Sequence, residues 1–98
     1  MAFEIEWMEP ALDQLTEITN TIRLDNPAAA GPFSAQLLAR VDGLGSSPRL
    51  GAVYRRRRGL EIRQISFGSY RIFYRLRPRL GRIEILNIWH GARQEPKL

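Results

Sequence analysis

Apolar and polar residues alternate along the last third of the chain with the period of two that a β-strand requires. The pattern predicts three strands, which are Leu60 to Phe67, Tyr70 to Arg77 and Arg82 to His90. Gly68-Ser69 makes the first turn, and Pro78 ends the second strand because it has no N–H to donate. Such short connections predict an antiparallel meander of neighbouring strands.

The first half of the chain combines one strand with two amphipathic helices. Ala2 to Met8 alternates like a strand, and a helix opens at Glu9-Pro10 and stops near Asp25. A second helix opens at Asn26-Pro27, and Pro32 within it predicts a kink or a fresh start. Apolar residues recur every three or four positions in both helices and define their buried stripes: Leu12, Leu15, Ile18 and Ile22, then Phe33, Leu37, Val41 and Leu44.

These elements give the order β-α-α-β-β-β(-β) and an α+β class, with one domain over residues 1–98. We expect a helical hairpin on one face of a curved antiparallel sheet, although the pattern does not say where the first strand inserts. A short strand from Gly51 to Tyr54 precedes Arg55 to Arg58, which are expected at an exposed, mobile tip.

The last strand carries apolar residues of both parities. Ile83 and Ile85 are expected on one face, and Leu86 and Ile88 on the other. Because the helices cover one face only, the other face is expected to need a protein partner.

Charge is divided unevenly between the halves of the chain. Residues 1–48 carry 2 Arg against 7 carboxylates, a balance of −5, and residues 49–98 carry 13 cations against 3 carboxylates, a balance of +10. The second half therefore favours a polyanion or an acidic protein as its partner. The chain has no cysteine, which fits a reducing cytoplasm, and we expect no signal peptide and no membrane association.

The helices around Asn26-Pro27, the run from Gly68 to Arg75 and the run from Ile83 to Arg93 together resemble the RelE/ParE superfamily of bacterial toxins. These toxins belong to type II toxin–antitoxin systems, which include plasmid stabilisation systems. The resemblance implies a cytoplasmic growth inhibitor that is neutralised by a cognate antitoxin. The expected assembly is a homodimer or a toxin–antitoxin heterotetramer. It also implies a choice of target, DNA gyrase for ParE-like members and ribosome-bound mRNA for RelE-like endoribonucleases.

Two residues match catalytic positions of the nuclease branch. Arg71 matches an arginine that holds phosphate, for which a planar, permanently charged guanidinium is suited. His90 matches a histidine that transfers protons, although ParE-like members also carry a histidine there. The alternatives are a sheet-face Arg paired with Glu61 or Glu84 and a histidine that anchors the chain end. No tyrosine follows Tyr74, which departs from the nuclease pattern.

A wider set of residues is assigned to RNA or partner binding: Arg63, Arg93, Arg55, Arg56, Arg57, Arg58 and Tyr74. For Arg63 a solvated charge is the preferred interpretation, and for Glu61 a cross-strand ion pair. No metal or cofactor is expected, because one histidine and scattered carboxylates make no ligand set. The favoured hypothesis is a ParE-like toxin that inhibits gyrase. The alternatives are a metal-independent mRNA endoribonuclease and an inactive relative or nucleic-acid-binding module.

Overall fold

Helices and strands follow one another in the order that the hydrophobic pattern predicts. The computed structural model describes residues 2–91 and Leu98. The elements are β1 (Glu4–Trp7), α1 (Glu9–Asp25), α2 (Pro27–Asp42), β2 (Ala52–Arg57), β3 (Leu60–Phe67), β4 (Tyr70–Arg77) and β5 (Arg82–His90). Single 3-10 turns follow α2 and β4. The predicted bounds of the last three strands are confirmed, and the α+β class with them.

The five strands form one sheet in the order β1-β5-β4-β3-β2. The meander of β3, β4 and β5 is antiparallel as predicted. β1, however, pairs parallel to β5, with Ile5 opposite Ile83 and Trp7 opposite Ile85, so the sheet is mixed. The two helices form a connection long enough to bring β1 alongside β5 in the same direction, which a tight turn does not allow.

Helix α1 buries a different face from the predicted one at its start. Leu12 is 47% exposed, and Ala11 is fully buried in its place. Leu15 and Ile18 pack against the core as predicted. Adjacent helical residues point about 100° apart, so a stripe centred on Ala11, Leu15 and Ile18 leaves Leu12 at its margin.

Neither helix in the described ranges is long and apolar enough to span a bilayer.

Helix α2 runs through Pro32 as one helix, which excludes the fresh start, one of the two outcomes predicted from the sequence. Pro32 is the sixth residue of the helix and lacks only the N–H that would reach the carbonyl of Ala28. Both residues are exposed, so the lost hydrogen bond falls on the solvent side of the helix. The predicted stripe is confirmed further along, where Leu37, Val41 and Leu44 are fully buried.

A β-bulge in β5 places Ile88 on the opposite face of the sheet from the one predicted. Phe73 lies opposite Asn87 and Tyr74 lies opposite Ile85, so Leu86 is an extra residue. The alternation shifts by one beyond it, and Ile88 joins Ile83 and Ile85 in the core under the helices. The Ile88 N–H donates to the side-chain oxygen of Gln14 on α1 at 2.7 Å, which ties the bulged strand to the helix.

The basic run from Arg55 to Arg58 was predicted to form a mobile loop tip, but most of it belongs to a strand. Arg55, Arg56 and Arg57 belong to β2, the edge strand of the sheet, and only Arg58 and Gly59 form the turn, both at positive φ. All four arginines are exposed, as predicted. Charged side chains on an exposed edge discourage pairing with other strands, which accounts for Arg in this strand.

Candidate functional surface

The register divides the side chains of the meander between two faces. Ile72, Tyr74 and Leu76 of β4 pack in the core with α1 and α2. Alternate residues therefore project from the opposite side, which we call the open face. Described residues of the open face are Ile62, Gln64 and Ser66 of β3, Arg71, Phe73, Arg75 and Arg77 of β4, and Glu84 and Trp89 of β5.

Arg71 lies on the open face, at the end of the sheet nearest the Gly68-Ser69 turn. Its neighbours across the strands are Ser66 and Trp89. The guanidinium donates to the side-chain oxygen of Gln64 at 3.3 Å and lies 5.5 Å from the centre of the Phe73 ring. A cation held by an amide and an aromatic face keeps its charge and a fixed position. The two carboxylates considered from the sequence pair with other arginines: Glu61 with Arg56 and Arg63, and Glu84 with Arg75 and Arg77.

His90 projects from the side of the sheet that carries the helices. It lies opposite Tyr70, and the two rings meet edge to face with centroids 5.3 Å apart. A cavity of about 150 Å³ beside it is also lined by Glu17 and Thr21 of α1. The structure therefore does not bring His90 and Arg71 together, although their strands are adjacent. Alternation along paired strands sends their side chains to opposite faces.

Glu84 is the buried carboxylate of the open face, with 5% of its surface exposed. One of its oxygens accepts hydrogen bonds from Arg75 at 2.7 Å and from Arg77 at 2.9 Å. Burial raises the pKa of Glu84, but the hydrogen bonds and charges of Arg77 and Arg75 outweigh it and leave the pKa below its ordinary value. Two cations share one carboxylate, so this cluster keeps a net positive charge.

Tyr74 and Arg63, two of the residues predicted to bind RNA or a partner, fasten the loop before β2 to the sheet. The Tyr74 side chain is fully buried; its hydroxyl accepts from the Gly51 N–H at 3.0 Å and donates to the Pro48 carbonyl at 2.8 Å. Arg63 donates to the carbonyls of Arg49 and Gly51 at 3.2 and 2.6 Å. Both side chains lie on the helix side and fasten the loop before β2. Their assignment to RNA or partner binding is not supported by their burial.

The four arginines of the basic run have different surroundings. Arg56 pairs with Glu61 across the strands at 2.8 Å, which is the predicted cross-strand ion pair. Arg55 donates to the main-chain oxygen of Leu98. Arg57 and Arg58 make no ion pair within the part of the chain that the structure describes. The predicted binding residue Arg93 lies outside the described residues.

Glu61 lies between two arginines, Arg63 and Arg56. Burial raises the pKa of this carboxyl, whereas hydrogen bonds and charges from Arg63 and Arg56 lower it more, so the pKa is below its ordinary value. Among the described residues no three His, Asp or Glu side chains converge as a metal site would require. The open face therefore presents guanidinium groups around the buried apolar side chains of Ile62 and Phe73.

Solved structures with the same architecture are bacterial and archaeal toxin–antitoxin proteins. A chain of the archaeal RelE–RelB complex from Pyrococcus horikoshii superposes with a TM-score of 0.70 at 17% identity, covering 96% of this chain and 100% of that one. A chain of the RelBE2 toxin–antitoxin complex from Mycobacterium tuberculosis gives 0.64 at 20% identity, covering 92% and 99%. These likenesses show that the chain shares its fold with the two matched chains.

The family itself is defined by sequence. Residues 5–95 match the family described as the ParE toxin of the type II toxin–antitoxin system parDE. The chain belongs to this family and is a toxin of a type II toxin–antitoxin system. No curated protein matches it.

Proposed function

We propose that this toxin inhibits growth by binding DNA gyrase and that it does not cut mRNA. The observation that carries the proposal is the separation of Arg71 and His90 on opposite faces of the sheet. Metal-free RNA cleavage needs a proton-transfer group and a phosphate-binding cation around one phosphodiester. These two residues do not meet around one, whereas binding to a protein target needs no such pair.

Membership of the ParE family supports the same target, because the sequence match is to that family while the RelE-like structures share only the fold. The buried position of Tyr74 adds to this. It leaves no described tyrosine on the open face beside Arg71 except Tyr54, whose ring packs on Phe73 at 4.8 Å.

The partner that restrains this toxin is, on our proposal, a cognate antitoxin protein. Both similar solved structures are toxins in complex with an antitoxin. The positive open face and the exposed β2 edge are the surfaces on which such a partner would be held, and no cofactor enters the proposal.

The second candidate is a ribosome-dependent endoribonuclease. It is favoured by Arg71, whose guanidinium is oriented by Gln64 and Phe73 at a face that carries further arginines. In this reading Arg71 binds phosphate and the proton-transfer group is a residue other than His90.

The two candidates are separated by inducing the toxin without its antitoxin and by assaying purified components. Gyrase inhibition predicts filamentous cells, loss of supercoiling activity in vitro and trapped gyrase–DNA complexes. Rapid translation arrest with mRNA cut in the ribosomal A site would exclude the gyrase proposal. Arg71→Ala and His90→Ala variants serve as controls: loss of toxicity in both, with RNA cleavage in the parent, would reinstate a shared catalytic role.

A further inference from the structure

A cavity of about 150 Å³ lies between α1 and the last residues of β5. β1 pairs with β5 only as far as Ile85, so the edge of β5 beyond that residue is paired with no described strand. Both faces of β5 reach the cavity there, through His90 on the helix side and Trp89 on the open side. The described lining includes no Lys or Arg, which distinguishes this cavity from the arginine-rich open face.

Glu17 is the acidic group of this cavity. The residue is exposed, and its carboxylate makes no ion pair within the part of the chain that the structure describes. Helix α1 as a whole carries Glu9, Asp13, Glu17 and Asp25 against Arg23, so the surface around the cavity is negative. A negative surface is complementary to a cationic group of a partner.

Aromatic rings on the cavity wall add a second preference for positive charge. Tyr70 and Trp89 both line the cavity, and such rings attract ammonium and guanidinium groups that come within about 6 Å of the ring centre. The Tyr70 ring is held in place from two sides, by His90 at 5.3 Å and by Phe33 at 5.7 Å between ring centroids. The cavity therefore combines one carboxylate with preorganised aromatic surface.

The size and the apolar part of the lining suit a single side chain. A volume of about 150 Å³ is below the roughly 300–1,000 Å³ of sites that hold drug-sized ligands. Ile18 and Ile88 line the cavity between the polar groups. Long cationic side chains place their methylene groups along such aliphatic surface while the charged head stays near water, which is where Glu17 lies.

The indole nitrogen of Trp89 sets a further requirement. Its Nε1 atom is buried and has no hydrogen-bond partner among the described residues. A buried N–H without an acceptor is costly, so a ligand that brings an acceptor oxygen gains by pairing with it. A free alkylammonium ion has no acceptor, whereas a lysine or arginine residue within a protein carries the carbonyl of its own main chain.

We propose that this cavity receives a lysine or arginine side chain of the toxin's protein target. Glu17 pairs with the cation, and a main-chain carbonyl of the target accepts a hydrogen bond from the Trp89 indole. The inference rests on the proposed action through DNA gyrase, and it names the type of residue that the target inserts and the place where it docks. The negative surface of α1 thereby serves a different partner from the positive open face.

The test follows the isotope-labelled full chain by NMR while short probes are added. The probes are an end-blocked glycine peptide with one central lysine, the same peptide with norleucine for lysine, and n-butylammonium, which carries the cation without a carbonyl. The Trp89 indole N–H resonance reports on the cavity directly, and it is distinguished from that of Trp7 by a Trp7→Phe variant. Glu17→Gln is the informative variant. Asp13→Asn is the matched control, since Asp13 is exposed one turn earlier on α1 and does not line the cavity.

The lysine peptide is expected to shift the Trp89 indole resonance in the parent chain and in Asp13→Asn, and to bind Glu17→Gln about threefold more weakly or worse. The norleucine peptide is expected to leave the resonance unchanged. Absence of a shift with the lysine peptide, equal shifts with norleucine, or equal affinity of the two variants would overturn the proposal. Butylammonium that binds as tightly as the lysine peptide would overturn the role of the target's carbonyl.

A DNA supercoiling assay separates failure of this inference from failure of the gyrase proposal. Glu17→Gln is expected to need about threefold more toxin than Asp13→Asn for the same inhibition. Inhibition by the parent with no difference between the variants would refute the cavity alone. A parent toxin that binds the lysine peptide through Glu17 but leaves gyrase active would refute the target alone. Loss of affinity for the antitoxin only, in Glu17→Gln, would overturn the assignment of the cavity to the target.

Discussion

Tyr74 links the buried sheet to the loop before β2 at the scale of single residues. Its hydroxyl is both donor and acceptor to main-chain groups of Pro48 and Gly51, 26 and 23 residues away. Unmade hydrogen bonds of buried groups are costly. The same reasoning applies to Glu84, whose carboxylate holds Arg75 and Arg77 in place. Tyr74, first assigned to binding, thus makes buried hydrogen bonds that are expected to stabilise the fold.

Tyr74→Phe is expected to lower the free energy of unfolding by about 1–3 kcal/mol, because it leaves the Gly51 N–H and Pro48 carbonyl without their partner. Urea denaturation followed by circular dichroism measures the change. Tyr70→Phe is the control, since the Tyr70 ring packs against Phe33 and His90 and those contacts are kept. A Tyr74→Phe protein as stable as the control would contradict the structural role.

The stability of the parent chain is expected to fall at high pH because of Tyr74. Burial raises the pKa of its hydroxyl, so the folded state holds the proton more tightly than the unfolded chain. The contribution is complete below the unfolded pKa of about 10 and is lost as the pH rises through the folded pKa. Urea midpoints measured across this range should decline less in Tyr74→Phe, and parallel curves would count against the prediction.

Acid is expected to remove the contribution of Glu84. Its pKa is lower in the folded chain than in the unfolded one, so its stabilisation is present above about pH 4.3 and is lost as the pH falls through the folded pKa. Glu84→Gln should cost about 1–3 kcal/mol at neutral pH and should flatten the acid limb of the stability curve. Glu17→Gln, at an exposed position on α1, is the control. Identical acid limbs in both variants would show that other carboxylates dominate.

At the scale of elements, the two edge strands of the sheet, β1 and β2, have different surroundings. β1 is short, and the Phe3 N–H beside it donates to the Gly45 carbonyl at 2.8 Å. Beyond the end of β1, Gln14 of α1 meets β5. β2 leaves its outer edge exposed but carries Arg55, Arg56 and Arg57 along it. The approach of the loop to this strand depends on Gly51, where the chain passes close to β3.

Gly51→Ala is expected to destabilise the fold by more than about 1 kcal/mol. A Cβ there would lie 2.5 Å from the Gln64 carbonyl oxygen and 2.8 Å from the Tyr74 hydroxyl. Gly43→Ala is the matched comparison at the end of α2, where the backbone is right-handed helical and a Cβ meets nothing within 4 Å. That change should stabilise by about 0.4–1 kcal/mol, because alanine loses less backbone entropy on folding. Thermal melts of both variants measure the change in stability. A Gly51→Ala protein as stable as the parent would contradict the close approach of Gly51 to Gln64 and Tyr74.

At the scale of the whole molecule, the acidic first half and the basic second half meet in one mixed sheet packed on two helices. The basic half supplies the open face, where Glu84 is the one buried carboxylate among the described residues. Long-range attraction to an acidic partner acts mainly on the rate of encounter. The net charge of +5 makes that rate sensitive to salt.

Association with the antitoxin is expected to slow about tenfold or more between low and high ionic strength, while dissociation changes less. Stopped-flow fluorescence of the purified partners at graded salt concentrations measures both rates. The Arg57→Glu, Arg58→Glu variant should lose much of the salt dependence, and the Arg23→Glu, Arg40→Glu control should keep it. Association rates that do not respond to salt would rule out electrostatic steering.

The hydrophobic pattern was enough to place the helices, the three meander strands and the turns at Gly68-Ser69 and Pro78. These features depend on local properties of the chain, namely hydrophobic periods of two and 3.6 residues and the φ limits of Gly and Pro. Local properties can be recognised in the sequence without knowledge of the fold. It also indicated the resemblance to a toxin family. The exposure of the basic run followed from its charge.

Which side chains lie on the same face of the sheet depends on long-range strand pairing, which the local pattern does not contain. The parallel insertion of β1 and the extra residue Leu86 depend on pairing between distant segments, so the parity of Ile88 was misread from the local pattern. The same long-range register sent Arg71 and His90 to opposite sides, and it turned Tyr74 inward to partners more than twenty residues away. Periodicity places side chains relative to their own strand, whereas strand pairing and packing place them relative to one another.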